Sequence, residues 1–298
     1  MQQPIVIGID LGGTAIKLGQ FLADGTCLHH LTVPTPQPPD PKDVVALISR
    51  AIQQLDPEQK SSAIGIGTPG PTDATGRIAH HAINLQGWEN VPLADLLEAE
   101  LHLPTYVAND ANCAGLGESW LGAGRNVQNL ILLTLGTGVG GAIILNKQLF
   151  TGSYGAAGEL GLITLNPQGD PCNSGNHGSL EQHLSVQAIQ RRTQKTPAEL
   201  GKLAEAGDKA ALAFWEKYGE DLGVGLASLI YVLTPEAILI GGGISASAKF
   251  FLPAAWQEIE KRVVPYSRVG LQLLKTELGN QAGIVGAAKL ALLGIIDH

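Results

Sequence analysis

Two stretches of this chain repeat one pattern, and that repetition limits what the chain can fold into. PIVIGID (Pro4–Asp10) is a short apolar run, broken by a glycine pair and followed by the alternating TAIKLGQFL. LILLTLGTGVGGAIIL (Leu130–Leu145) repeats the scheme of apolar run, glycine turn and apolar run. Runs this short that end in glycine read as strands, so each stretch predicts a β-hairpin. The tip of the first is Asp10-Leu11-Gly12-Gly13-Thr14. Each hairpin is followed later by a strand entering a Gly turn: SAIGIGTPG (Ser62–Gly70) and PEAILIGGGIS (Pro235–Ser245).

Helical spacing fills the gaps in DVVALISRAIQQL and LADLLEAEL. PTYVANDANCAGLGESWLGAG reads as a strand breaking into a helix at about Asn109–Asp110. The result is an α/β chain built from a duplicated unit. The expected domains are residues 1–111 and 112–283, with the final helix, 284–298, packing back on the first. The second round is longer because an irregular insert (about Thr151–Glu181) and a helical region (about Leu184–Leu233) interrupt it. TPQPPDPK (Thr35–Lys42) reads as a proline-rich surface connection.

Composition removes several classes of function. With 44% hydrophobic and 15% charged residues over 298 positions, the chain has ample core and no disordered character. A net charge of −8 argues against a nucleic-acid partner. Cys27, Cys113 and Cys172 are odd in number and widely spaced, which favours a reducing compartment over a disulfide framework. MQQPIVIGIDLGG lacks a basic leader, and no apolar run reaches membrane-spanning length, so the expectation is a cytoplasmic protein with no membrane partner.

The glycine turns are where chemistry is expected. Asp10 at a strand end suits a hydrated Mg²⁺, and Gly12, Gly13 and Thr14 let backbone N–H groups face phosphate oxygens. A plain hairpin turn explains the same residues when they are taken alone. Gly136-Thr137-Gly138 offers the same chemistry in the second half, and two such turns at matching places strengthen the phosphate reading. Neither turn opens a helix, so a Rossmann site is excluded, and the P-loop pattern is absent. Gly241-Gly242-Gly243 suits a close approach to an adenosine moiety, or simply strand–helix packing. At the strand-to-helix corner, Asp110 is either an N-cap or a general base for a substrate hydroxyl. His29-His30 and His80-His81 read as surface residues, and Cys113 as a small buried side chain.

In this order, IGIDLGGTAIK, GIGTPGP, NLQGW (Asn84–Trp88), VANDANCAGLGE, LTLGTGVGGAII, GAAGELG and ILIGGGIS resemble the bacterial ROK family (repressors, open reading frames, sugar kinases) over nearly the whole chain. The resemblance implies an actin-like ATPase fold of two ribonuclease H-like domains around a cleft. It also implies ATP-dependent phosphorylation of a hexose, most often glucose at its 6-hydroxyl. On that pattern Asp110 falls on the catalytic base. Gly70, Asn84, Asn109, Glu159 and Glu181 fall on positions that contact sugar hydroxyls. Asp10, Gly12, Gly13 and Thr14 fall on one phosphate motif, with Lys17 beside it. Gly136, Thr137 and Gly138 fall on the other, and Gly241, Gly242 and Gly243 on the adenosine motif. The cofactors implied are ATP and Mg²⁺, with Asp10 holding the ion through water, and the assembly implied is a homodimer.

Relatives extend the alternatives to a polyphosphate donor, to fructose, allose, mannose or N-acetylmannosamine as acceptor, and to a sugar-sensing regulator without catalysis. For polyphosphate, Lys17, Arg125 and Lys147 supply only a sparse basic track. The first strand begins at about Pro4, which leaves no room for the helix-turn-helix of a ROK repressor, and the presence of Asp110 favours a kinase over a sensor. NLQGW and the paired Glu159/Glu181 favour glucose.

The chain departs from the family at GDPCNSGNHGSLEQH (Gly169–His183). Many members hold a structural zinc here with a histidine and three cysteines. Leu162 stands at the histidine position, Cys172 at the first cysteine, and Ser174 and Ser179 at the others. Serine and leucine do not replace thiolate and imidazole on Zn²⁺, so no structural zinc is expected. A different site from Cys172, His177 and His183 matches no common zinc spacing. In zinc-bearing relatives that histidine also helps hold the sugar. The loop here is expected to rely on its own turns, with Asn173, Ser174, Asn176 and Ser179 bonding to backbone.

Overall fold

The structure is a computed structural model that describes residues 3–296 apart from 83, 84 and 86. The first half runs β1 (Ile5–Leu11), β2 (Ala15–Leu22), β3 (Cys27–Pro34), α1 (Pro41–Leu55), β4 (Ser61–Thr68), the short β5 (Ala79–His81) and β6 (Glu89–Val91), α2 (Leu93–Leu101), β7 (Thr105–Asn109) and α3 (Asp110–Trp120). Then come β8 (Leu130–Leu135), β9 (Val139–Leu145), β10 (Gln148–Leu149), helices α4 (Leu180–Leu184), α5 (Val186–Thr193), α6 (Pro197–Glu205) and α7 (Lys209–Leu233), β11 (Ala237–Gly241), α8 (Ala248–Arg262), β12 (Gln272–Lys275) and α9 (Ala282–Ile296).

Two five-stranded sheets carry the same order of strands. One is β3-β2-β1-β4-β7 and the other β10-β9-β8-β11-β12, so the duplication read from the glycine turns is a duplication of topology. In the first, β1 pairs antiparallel with β2 and parallel with β4, and β4 runs parallel to β7. In the second, β8 pairs antiparallel with β9 and parallel with β11, and β11 with β12. Parallel strands ending together create the crevice outside their carboxyl ends where α/β sheets bind ligands.

The chain divides into two compact units, Met1–Arg125 with Gln148–Ala157 and Leu278–His298, and Asn126–Lys147 with Gly158–Glu277. Where the sequence reading put the first boundary at residue 111, α3 runs straight through that point, because its cap lies at Asn109 and its helix continues to Trp120. Each unit has its own apolar core. Ile7, Ile9, Ile48, Ile64 and Trp88 anchor one, and Trp215, Tyr218, Phe251, Leu226 and Ile240 the other.

The stretch Gly279–Ile296, which ends in α9 and carries Lys289 as its one charge, is long and apolar enough to cross a membrane by length and composition. Its packing marks it as a core helix of the first unit instead. Gly8 on β1 and Gly65 on β4 have no room for a side chain, since a Cβ there would meet the backbone of Ile284 or Ala287 at 2.1 and 1.8 Å.

Candidate functional site

In the first unit, strand register assembles the site. Asp10 lies opposite Gly67 of β4, and Gly67 lies opposite Ala108 of β7, one residue before Asn109. Asp10 and the Asn109–Asp110 corner are therefore about two strand spacings apart, roughly 10 Å, at the carboxyl ends of parallel strands. Between them, under Gly67, is the fully buried Cys113. Its thiol is pushed well up by burial first, then by the carboxylates of Asp10 and Asp110, so it is not a thiolate nucleophile.

Lys17 is the antiparallel partner of Asp10, and its Nζ is 3.0 Å from Asp10 Oδ2. The hairpin tip is narrower than expected, because Leu11 still belongs to β1 and the turn is Gly12 to Thr14. Gly12 N–H donates to Ala15 O at 3.0 Å, closing the turn.

At the corner, the cap is Asn109 and not Asp110. Asn109 Oδ1 accepts from Ala111 N at 2.9 Å and Asn112 N at 3.2 Å, while its Nδ2 donates to Gly70 O at 3.0 Å. Both ends of the amide are thus engaged in fixing the corner. Asp110 occupies the first helical position with its side chain exposed, where the helix dipole favours the carboxylate. Gly70 has φ +83° and sits against His81 O, a conformation and a contact that exclude any side chain. Asn84 lies outside the described residues. His29, His30 and His81 are exposed, as read from the sequence, and His80 is partly so.

In the second unit the turn Gly136–Gly138 closes on itself through Gly136 N–H to Gly138 O at 2.9 Å. A carboxylate from outside the hairpin reaches it. Glu181 Oε2 accepts from Val139 N at 2.9 Å, and a Cβ on Gly138 would lie 2.5 Å from that oxygen. Sequence reasoning named both residues without foreseeing that they touch, since 42 positions separate Val139 from Glu181. Glu159 is solvent-exposed on its outer side, yet desolvation by its surroundings and then the Glu181 carboxylate hold its pKa above the ordinary glutamate value. The adjoining Gly161 packs on Val139 O, so the GELG segment lies directly on β9.

The three glycines at the end of β11 do different things. Gly242 has φ +79°, and a Cβ there would meet Leu135 O at 2.3 Å, so the fold itself demands it. A Cβ on Gly241 would touch Thr276, whereas one on Gly243 would meet nothing within 4 Å. Of the expected adenosine motif, Gly243 is the member facing open space.

The loop Gly169–His183 is held by hydrogen bonds. Burial raises the Cys172 thiol, but hydrogen bonding from Ser174 outweighs it and leaves the pKa lowered, while the Ser179 hydroxyl is buried with no hydrogen-bond partner among the described residues. Asn176 completes the loop, its Nδ2 donating to Leu162 O at 3.0 Å and its carbonyl accepting from Thr164 Oγ1 and from its neighbour His177 N. Asp170 pairs with Arg191 of α5 at 2.7 Å. Among the described residues, no three of His, Cys, Asp or Glu group so as to hold a metal ion.

An α/β chain with two equivalent sheets, glycine turns at the strand ends and carboxylates beside them is of the class that binds and transfers phosphate groups. The ROK family model matches residues 6–293, and the chain belongs to the ROK family. It is 36% identical to a glucokinase of Halalkalibacterium halodurans, covering 95% of this chain and 94% of that one. Among solved structures it resembles a ROK hexokinase from Thermus thermophilus (TM-score 0.87, 32% identity, 99% and 100% coverage). It also resembles a ROK family glucokinase from Streptomyces griseus in complex with glucose and AMPPNP (TM-score 0.81, 32% identity, 97% and 100% coverage). The fold is therefore the actin-like ATPase fold of these kinases.

Proposed function

We propose that the chain is an ATP-dependent hexose kinase of the glucokinase type, with Asp110 as general base. The observation that carries this reading is the corner itself: Asn109 caps α3, and Asp110, whose Oδ1 accepts from Ala111 N at 2.8 Å, presents an exposed carboxylate beside it at the strand ends. A sugar hydroxyl held there loses its proton to Asp110 as its oxygen bonds to the γ-phosphorus. The bond from that phosphorus to the bridging oxygen breaks, and ADP leaves. Asn109, Gly70, Glu159, Glu181 and Asn84 are the proposed hydroxyl partners of the sugar. The turns at Gly12–Thr14 and Gly136–Gly138 are the proposed phosphate contacts, with Gly241–Gly243 near adenosine.

Mg²⁺ supplies charge neutralisation on the phosphates when bound. Asp10 suits it through water, because Lys17 already balances one of its oxygens and a directly bound dication would compete for that carboxylate. A cytoplasmic homodimer without structural zinc completes the proposal. Sedimentation of micromolar protein as monomer alone, or stoichiometric zinc in tag-free protein, would contradict those parts. The central test is a coupled ADP-release assay against glucose, fructose, mannose, allose and N-acetylmannosamine, run in parallel with polyphosphate as donor. Fastest turnover with ATP and glucose is expected. A folded, ATP-binding protein that turns over no hexose would overturn the reading.

A further inference from the structure

Where the chain enters α9, it meets the charged pair of the first hairpin at two points. Lys17 Nζ, besides its contact with Asp10 Oδ2, donates to Asn280 O at 3.4 Å. A Cβ on Gly283, the second residue of α9, would stand 3.0 Å from Asp10 Cγ and 3.1 Å from Asp10 Oδ2. Glycine is a poorer helix former than alanine, and the Asp10 carboxylate supplies the reason for its use here. Lys17 and Gly283 both meet Oδ2, so Oδ1 is the oxygen they leave for a hydrated ion. The segment ahead of α9 is fixed in turn by a buried carboxylate. Glu118 of α3 is fully buried, its Oε1 accepting from Leu278 N at 2.8 Å and its Oε2 from Ala123 N at 2.8 Å. Leu278 opens a short 3₁₀ turn, Gly279–Gln281, which closes through Gln281 N–H to Leu278 O at 3.1 Å and carries the Asn280 carbonyl. Buried charged acceptors are costly to leave unmatched, so these bonds hold the segment in place.

We propose that Gly283 and Glu118 are positioning residues for the nucleotide end of the site: Glu118 fixes the chain at Leu278, and the segment from there to Gly283 sets the Asp10–Lys17 pair. The proposal rests on the nucleotide and metal part of the kinase reading above. Carboxylates that serve a metal depend on the groups that orient them, and loss of such a group typically lowers affinity by about ten- to a hundredfold. At Gly283 the orienting feature is the missing side chain. A methyl group there would push the Asp10 carboxylate by a few tenths of an ångström against the Lys17 ammonium that holds it. Asn280 acts on the other member of the pair, so a shift of the segment moves both charges together. At the sugar end, Asn109 and Gly70 are held to each other through Asn109 Nδ2 and Gly70 O, so that end is spared.

The test is calorimetric titration of AMPPNP into the full chain, once with Mg²⁺ and once with EDTA, beside steady-state kinetics with glucose. Gly283→Ala is expected to weaken AMPPNP with Mg²⁺ about tenfold, while AMPPNP in EDTA and the KM for glucose stay within about twofold of wild type. In an Asp10→Asn background the same substitution should add less than about a twofold loss, because its route to the metal is gone. A merely structural role would cost the same in both backgrounds. Glu118→Gln leaves one of its two backbone N–H partners without a carboxylate oxygen, and should show the same dependence on Asp10 with a smaller loss, about threefold. If one variant fails to fold, the other decides. Equal losses in the two backgrounds, or full Mg²⁺-dependent affinity in folded variants, would overturn the positioning role and leave the kinase reading standing. Asp10→Asn with unchanged affinity for AMPPNP and Mg²⁺ would take Asp10 away from the metal and this proposal with it. A wild type that binds AMPPNP but turns over no hexose would overturn the kinase reading, and the binding comparison would still decide the role of Gly283.

Discussion

The two glycine hairpins share a backbone plan and differ in where their charge comes from. In β1–β2 the carboxylate and its counter-charge are cross-strand partners within the hairpin, Asp10 opposite Lys17. In β8–β9 the corresponding positions are apolar or neutral, with Leu135 opposite Val139 and Thr134 opposite Gly140. Its carboxylate is imported, since Glu181 at the start of α4 fills the space that a Gly138 side chain would need and takes the Val139 N–H. A duplicated unit has thus been specialised by two routes. One hairpin is specialised by its own strand residues and the other by the insert that follows it. Changes in the insert should therefore act at the second turn and leave the first untouched.

The sharpest way to break this contrast is at Asp110, because the comparison assigns all proton chemistry to the first unit. Asp110→Asn is expected to lower kcat by about 10²–10⁴-fold with glucose affinity nearly kept, as read by steady-state kinetics beside calorimetry. The cap is on Asn109 and an amide at 110 keeps an oxygen for the Ala111 N–H, so the variant should stay folded and lose only about 0.5 kcal/mol of helix-dipole stabilisation. Near-normal turnover would take the base away from Asp110.

Next in size is a stability contrast within the second unit. Gly242→Ala places a side chain on a left-handed backbone 2.3 Å from Leu135 O, which should cost at least about 2 kcal/mol in urea denaturation. Gly243→Ala meets open space and should stay within about 0.5 kcal/mol, as an unperturbed surface site does. If ligand uses that space, Gly243→Ala should instead weaken ATP binding. Equal stability losses for the two variants would show that the motif is packing alone.

A smaller effect tests the imported carboxylate itself. Gly138→Ala displaces Glu181 from Val139 and is expected to raise the KM for glucose about tenfold, roughly 1.4 kcal/mol. Lys17 and Asp10 are untouched by this change. A rise in the KM for ATP alone would move Glu181 out of the sugar contacts and into the phosphate turn.

How much of this was legible in the sequence depends on the range of the interaction. The strand–glycine–strand units and their duplication were readable, because the period of the apolar runs and the turn glycines are local. The corner at Asn109–Asp110 was located but its cap was assigned to either role of Asp110, since both residue types cap helices and only geometry separates them. Thr35 and Pro39 were read as surface because prolines usually punctuate exposed loops, yet Trp88 draws Pro39 inward from 49 residues away. The Glu181–Val139 bond was equally hidden, since nothing local marks a glutamate as the filler for a distant glycine. The loop around Cys172 lay between these extremes. The resemblance singled out Cys172, Ser174 and Ser179, while the hydrogen bonds of Asn176 that hold the loop needed the fold.

The smallest expected effect concerns Glu159, whose raised pKa comes from desolvation and from Glu181. A carboxyl that titrates higher in the folded state holds its proton there after the unfolded chain has released it. Folding stability therefore falls as pH rises from the ordinary value of 4.5 through the raised one, and then levels off. Glu159→Gln removes this loss, so the variant should match the wild type below pH 4.5 and exceed it modestly at neutral pH in ligand-free urea melts. The gain is modest because the exposed side of Glu159 is screened by water. The same substitution in a Glu181→Gln background should gain less, since only desolvation remains to be relieved. Parallel pH profiles for wild type and Glu159→Gln would mean that Glu159 titrates alike in the folded and unfolded chain, so that neither its burial nor the imported carboxylate acts on it.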